Sequence, residues 1–538
     1  MLLLVAVAVA MASAYEGGCG TLNILQNKKK NRLTLTASTQ YDSYKCRYEQ
    51  YYDTVYSIET PHIQVFYVLS GPHATTKAFA DSTAQSMEAA WKFYINQMEM
   101  RSPKGPKISY HFQQKVKDGL YPVEIIDIGQ IRDSEINQCP SCYGLTLQQD
   151  NNEATQIFMD NDFFYGSFQR DKKDTLFVGK DTCIYYKSQN PLRNSAHNFS
   201  YTDEWAKGIR LTSFHEFYHA VQLRYLNVVY DNTLFWFEAS ATGFEEVTNP
   251  GVDDYFAYLP SFFSEMGIPL YRLSSTSNNK IYGTSTLFLY LYHKIAKDVD
   301  KNIWENYSKS PTQSFETQLG KSLQKYNLDA DSVFHDYSVL LSLSGKSSLS
   351  IPKKEWINED QVEWPSARFY MEDEVKPEVE SLAFEFYRAS QNSYTPDFTN
   401  FIGKASVITF NDGHATIHKI QNARSIGSLA SALSSSDSAI WVFSRLGKSE
   451  SIPIVTKDAP PHAFPVPWRE GALCFAPLPR DKKFFEIRNR RGDLVAQQKY
   501  EGTSFCLQED QVKAMMSPGV YRFRVGNKGK TSSFMVIY

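Results

Sequence analysis

The chain has 538 residues, more than one hydrophobic core readily holds, so two or three domains are expected. Hydrophobic residues make up 42% and charged residues 21%, which excludes a disordered chain, and a formal net charge of -3 leaves no electrostatic footprint for a nucleic-acid partner. Aromatic residues reach 14%, a content that suits β-rich structure and extended binding surfaces.

Residues 1–14 are almost wholly apolar and end in Ala12-Ser13-Ala14. Small residues at the last and third-last positions fit signal peptidase, which predicts a signal peptide cleaved after Ala14 and a secreted, extracellular mature chain. Neither this run nor any other apolar stretch reaches the ~20 residues that a transmembrane helix needs. Residues 15–60 form an N-terminal segment with a basic polar tract, Lys28 to Arg32, expected as a solvated loop, and a Tyr-rich run from Tyr41 to Tyr56.

From residue 61 the pattern becomes regular. Strands are predicted at Ile63 to Leu69, Tyr121 to Ile128 and Thr155 to Met159, rich in β-branched and aromatic residues, with an amphipathic helix from Ala78 to Met98. Helices follow at Thr212 to Leu226, from Phe237 through Glu246, at Thr284 to Ala296 and at Ser314 to Lys325. The stretch 61–345 is therefore assigned to one α+β domain. Short alternating strands such as Ala405 to Phe410 and Ala439 to Phe443 mark a β-rich domain over 353–458. A Pro-rich joint then leads to a C-terminal β-sandwich module over 466–538.

Seven cysteines fit an oxidising compartment. Cys19 with Cys46 and Cys474 with Cys506 are each expected as local disulfides. Cys139 and Cys142 have CxxC spacing without the second CxxC that a zinc knuckle needs, so a disulfide is expected there too.

The strongest chemical signal is His215-Glu216-Phe217-Tyr218-His219. Residues four apart share one helix face, so both imidazoles can bind one metal ion. Glu216 falls beside the ion's open position, where it can take a proton from water whose pKa zinc lowers to roughly 7. A third protein ligand is needed. Glu238, nineteen positions after His219 on the next helix, is the best candidate, with Glu245 and Glu246 as rivals. Glu245 lies two helical turns beyond Glu238 on roughly the same face, a position that equally suits supporting a ligand from behind.

The run His215 to Gln222, His-Glu-Phe-Tyr-His-Ala-Val-Gln, followed by Phe235-Trp236-Phe237-Glu238-Ala239-Ser240-Ala241, resembles a group of secreted bacterial proteins classed as metalloproteases. These carry HEFFHAxQ and then W-x-E-A-(T/S)-A, and belong with the gluzincins. The likeness extends to Ile157 to Phe163 upstream and Ile281 to Phe288 downstream, covering roughly residues 60 to 330. It implies a zincin-like catalytic domain, Zn2+ held by His215, His219 and Glu238, and Glu216 as the catalytic base. Gluzincins often place an Asp four residues after the metal-binding Glu to orient a His ligand; here that position is Thr242. For the residue that steadies the oxyanion, Tyr282 is the choice and Tyr218 the weaker one.

Other features rank lower. Asp160 and Asp162 flank Asn161 without a full calcium loop, which favours a strand-end turn. Arg491-Gly492-Asp493 is an ordinary hairpin turn before it is an adhesion tripeptide, and His414 and His418 are expected at the surface. No phosphate loop or GxSxG elbow is present. The expected function is a secreted zinc-dependent endopeptidase acting on a polypeptide substrate, with cell-surface or matrix contact through the C-terminal β modules. The alternative is a catalytically silent zinc-binding surface or matrix protein on the same fold, against which an intact Glu216 argues.

Overall fold

The computed structural model describes residues 54–71, 73–128, 142–148, 154–163, 172–178, 181–187, 205–226, 229, 231–272, 279–370, 377–388, 396–398, 401–420, 429–447, 462–464, 468–476, 478, 484–500, 505–526 and 531–538. The expectations for residues 1–14, the basic tract, Cys19, Cys46 and Cys139 lie outside the described residues. The fold is α+β, with a helical region carrying the His-Glu motif and antiparallel sheets towards the C-terminus. Two compact units are formed, one from Met1–Phe262 with Leu273–Ser322 and one from Phe263–Arg272 with Leu323–Tyr538.

In the first unit, strands β1 (Val55–Glu59), β2 (Ile63–Val68), β3 (Tyr121–Ile126), β4 (Gly144–Gln148) and β5 (Thr155–Asp160) build one sheet in the order β1-β2-β3-β5-β4. β2, β3 and β5 run parallel, and β4 closes the edge antiparallel to β5. Every residue of β2, β3 and β5 is buried, as in parallel strands covered on both faces, and each strand is rich in β-branched and aromatic residues. Helix α1 (Lys77–Trp91), capped by the Thr76 hydroxyl, continues as a π-helical segment to Gln97. The hairpin β6 (Lys172–Val178) and β7 (Asp181–Lys187) follows.

Helix α2 (Trp205–Gln222) carries the motif, and α3 (Asp231–Thr248) packs against it. Both start six or seven residues before the expected positions. The run Leu234 to Phe237 is buried residue after residue, so no amphipathic period marks the start of α3. The short helices α4 (Leu259–Ser264), α5 (Asn279–Gly283) and α6 (Ser285–Tyr290) follow, the last continuing as a π-helical turn to Ile295. Then come α7 (Val299–Lys309), which periodicity missed, and α8 (Phe315–Gln324). Aromatic side chains cement α2 from the sheet side: Phe217 packs edge-on to Trp91 and Tyr121, and the Tyr94 hydroxyl donates to the Phe214 carbonyl at 3.1 Å.

Asp160 ends β5 by accepting from the backbone N–H groups of Ile128 and Phe163, at 3.0 and 2.8 Å. It thus serves a strand-end turn, as the spacing suggested.

The second unit contains α9 (Ala330–Ser342), packed on an antiparallel sheet of order β10-β9-β11-β8. Its strands are β8 (Ala383–Arg388), β9 (Lys404–Asn411), β10 (His414–Ile420) and β11 (Ser438–Arg445), with the short helix α10 (Ala430–Ser435) before the last. His414 is exposed on β10, whereas His418 is partly buried and bonds the Thr409 hydroxyl at 3.0 Å. Beyond lie a three-stranded sheet of β12 (His462–Phe464), β13 (Leu473–Ala476) and β16 (Phe505–Leu507), and a four-stranded one of β14 (Phe484–Asn489), β15 (Leu494–Lys499), β17 (Gly519–Val525) and β18 (Thr531–Val536). Helix α11 (Glu509–Met515) precedes β17. The two sheets share a core containing Trp468, Phe475, Phe485, Phe523 and Phe534. Cys474 and Cys506 face each other on β13 and β16 and form the expected disulfide. Cys142 is also disulfide-bonded. Arg491-Gly492-Asp493 is the β14–β15 turn, with Gly492 at φ +96 and the Asn489 side chain accepting from the Arg491 and Asp493 N–H groups.

Candidate metal centre

The site is assembled by α2 and α3. On α2 the four-residue spacing places His215 and His219 on one face, their Nε2 atoms 3.0 Å apart. From α3, Glu238 brings a carboxylate oxygen to 3.4 Å from each Nε2. One ligand atom from each residue lies within 4.8 Å of the other two, and all three side chains are buried.

The Nδ1 atoms explain why both Nε2 lone pairs point inward. His215 Nδ1 bonds the Glu245 carboxylate, and His219 Nδ1 lies 2.7 Å from Gln222 Oε1. Gln222 Oε1 can only accept, and the Glu245 carboxylate accepts when ionised, so in the neutral rings each Nδ1 carries the proton and each Nε2 is bare. Neither Glu238 oxygen has a hydrogen-bond partner, although the residue is fully buried. Two lone pairs and an undonated carboxylate converging on one point make a poor resting arrangement without a cation and a good ligand set with one. The group can hold a metal ion.

Glu245, a rival for that third place, instead reaches the far side of His215. Burial pushes its carboxyl up to about 7, opposed by His215 and reinforced by Asp254 and Glu216. The other rival, Glu246, is not part of the three-residue group. Thr242 is buried with its hydroxyl lacking a hydrogen-bond partner, so the carboxylate behind His215 comes from position 245 and not from 242.

Glu216 is buried next to His215, and its carboxylate lies 2.8 Å from the Thr146 hydroxyl on the edge strand β4. Gly144, two residues earlier on the same strand face, permits that approach. A Cβ there would fall 2.8 Å from Glu216 Cγ and 2.5 Å from Thr212 Cγ2. Tyr218 points elsewhere: its hydroxyl bonds Asp300 on α7, which also accepts from Trp236 Nε1 at 2.8 Å. Tyr282 lies buried on α5, stacked on Tyr258 with ring centroids 4.9 Å apart.

Four participants escaped the sequence reading. Gln222 was visible within the quoted run, three residues after His219 and hence on its face. Thr146, Gly144 and Asp300 come from distant segments and left no local signal.

No family model matches the chain, and no curated protein matches it. Among solved structures, a match is found to PorZ, described as an essential bacterial surface component of the type-IX secretion system of Porphyromonas gingivalis, at 19% identity and a TM-score of 0.14. The alignment covers 18% of this chain and 14% of that one, too little to bear on fold or function.

Proposed function

We propose that this chain is an exported zinc-dependent endopeptidase of gluzincin type. The observation that carries the reading is the buried, undonated Glu238 carboxylate set against two bare imidazole nitrogens, with Glu216 intact beside them. A nitrogen, nitrogen, oxygen donor set suits a catalytic zinc ion. Zinc would supply Lewis acidity, making water acidic enough to lose a proton near pH ~7.

The chain's own residues then do the rest. Glu216 accepts the proton from the attacking water and passes it to the departing amide nitrogen. Thr146 holds the Glu216 carboxylate in place by hydrogen bonding. The edge position of β4 beside Glu216 suits an extended polypeptide substrate. Tyr282, on a short helix packed against α3, is proposed as the oxyanion donor. Export is supported by the disulfide between Cys474 and Cys506. Among the described residues no helix is long and apolar enough to cross a membrane. The C-terminal sheets are proposed to contact a cell surface or matrix.

The test is zinc content of the purified chain, wild type beside Glu216→Ala, with casein hydrolysis. Near-stoichiometric zinc in both and chelator-sensitive hydrolysis only in the wild type would support the reading. Zinc without hydrolysis in either would favour a silent metal-binding protein. A folded chain that takes up no zinc would overturn both.

A further inference from the structure

We propose that Gln222 is a positioning residue of the metal centre, whose amide fixes the tautomer of His219 and so aims the Nε2 lone pair at the ion. The inference rests on the metal-binding reading of His215, His219 and Glu238, and not on peptide hydrolysis.

Hydrogen-bond directions settle the geometry in sequence. The Ser240 hydroxyl donates to the Trp236 carbonyl at 2.7 Å, as an i to i-4 bond within α3. Its oxygen is then an acceptor, and Gln222 Nε2 donates to it at 3.0 Å. The second amide hydrogen goes to the Phe237 carbonyl at 2.9 Å. A flipped amide would set Oε1 against that carbonyl oxygen, so the orientation is fixed. Oε1 has no hydrogen to give, and therefore His219 Nδ1, 2.7 Å away, must be the donor. A neutral imidazole has one N–H, which leaves Nε2 bare.

Gln222 is fully buried, so bulk water does not compete with it for His219 Nδ1. It also contrasts with the partner of His215, which is a carboxylate. An amide sets the tautomer without adding charge, in a pocket that already holds Glu238, Glu245 and Glu216. Because its donors end on α3, the same side chain registers the helix of the two histidines against the helix of Glu238.

The test is zinc affinity of the full chain, read by competition with a chromogenic chelator, with the visible spectrum of the cobalt-substituted protein. Gln222→Met keeps the volume and loses the acceptor, whereas Gln222→Glu keeps an acceptor at Nδ1 and loses both donors. Positioning predicts a roughly ten- to hundredfold loss of zinc affinity and an altered cobalt spectrum in Gln222→Met. It predicts near-wild-type affinity in Gln222→Glu. Equal losses in both variants would mean a helix-to-helix bridge only, and loss in neither would leave His219 self-sufficient; each overturns the proposal. Should a variant at 222 fail to fold, nitrogen-15 NMR of the metal-free wild type reads the tautomer directly: the proton on His219 Nδ1 with Nε2 bare is expected, and the opposite tautomer overturns the proposal. If the wild type binds neither metal, the metal reading itself falls, whereas binding without hydrolysis leaves this inference standing.

Discussion

The Thr146 hydroxyl lies 2.8 Å from a carboxylate oxygen of Glu216 and 2.8 Å from the backbone carbonyl of the same residue. A side chain on the edge strand of the sheet thereby meets Glu216, the single acidic group of the motif helix. With a single proton to donate, Thr146 can serve either acceptor, and the carboxylate is the stronger one when ionised. Hydrogen bonds to charged groups are worth ~1.5–3 kcal/mol. Thr146→Val is therefore expected to lower kcat/KM about tenfold or more with KM and zinc content unchanged, and Thr146→Ser to restore it. Peptide hydrolysis with metal analysis on the same samples is the check; an unaltered rate in Thr146→Val would separate the two residues functionally.

Gly144 sets how closely that strand approaches the helix. Its missing Cβ would sit 2.5 Å from Thr212 Cγ2 and 3.3 Å from the Phe158 carbonyl, so helix or strand must shift to admit one. Gly144→Ala is expected to destabilise the first unit by ~1–3 kcal/mol, as overpacking does. Denaturant unfolding measures this.

Metal removal should destabilise the first unit as well. A ligand that binds only the folded state stabilises it by mass action, ~4 kcal/mol at a thousandfold excess over Kd. Chelator should lower the melting temperature of the wild type. It should do little to Glu238→Gln, which has lost a ligand. Glu245→Gln should weaken zinc binding by roughly ten- to a hundredfold, since the carboxylate behind His215 is gone.

Asp300 joins Tyr218 of α2 and Trp236 of α3. Burial pushes its carboxyl up to about 7, with the bonds from Tyr218 and Trp236 opposing the rise. A group so close to neutral at physiological pH tolerates an amide. Asp300→Asn can accept from Trp236 and donate to the Tyr218 oxygen, and should cost less than ~1 kcal/mol. Asp300→Leu strands two buried donors at ~1–3 kcal/mol each. Calorimetry of both variants separates the cases.

In the second unit, His335 on α9 bonds Ser444 of β11 through Nδ1 and Ser406 of β9 through Nε2, both at 2.7 Å. Burial, aided by Lys419 and Lys404, holds its pKa down at about 3. The unfolded chain, near 6.5, binds a proton that the folded one refuses between these values. The stabilisation is thus complete above pH 6.5 and is lost as pH falls towards 3, by up to ~1.4 kcal/mol per pH unit. His335→Gln should flatten that acid limb in equilibrium unfolding measured from pH 7 to 4.

The sequence by itself determined the features whose cause is local. Four-residue spacing puts His215 and His219 on one helix face wherever that helix lies, and an apolar run such as Ile63 to Val68 forms a buried strand by its own composition. The place of Glu238, nineteen residues after His219 on the next helix, made it the expected third member of the group. Only the tertiary structure decided the rest. Whether Glu245 or Glu246 faces a histidine depends on the rotation of α3 against α2, which a helix buried on all sides does not reveal through its periodicity. Thr146 and Gly144 meet Glu216 across seventy residues of chain, because β4 is laid antiparallel at the sheet edge under the motif helix. Asp300 closes the opposite face from α7. These contacts come from packing between distant segments, and a carboxylate, hydroxyl or glycine carries no local mark of the partner it will meet.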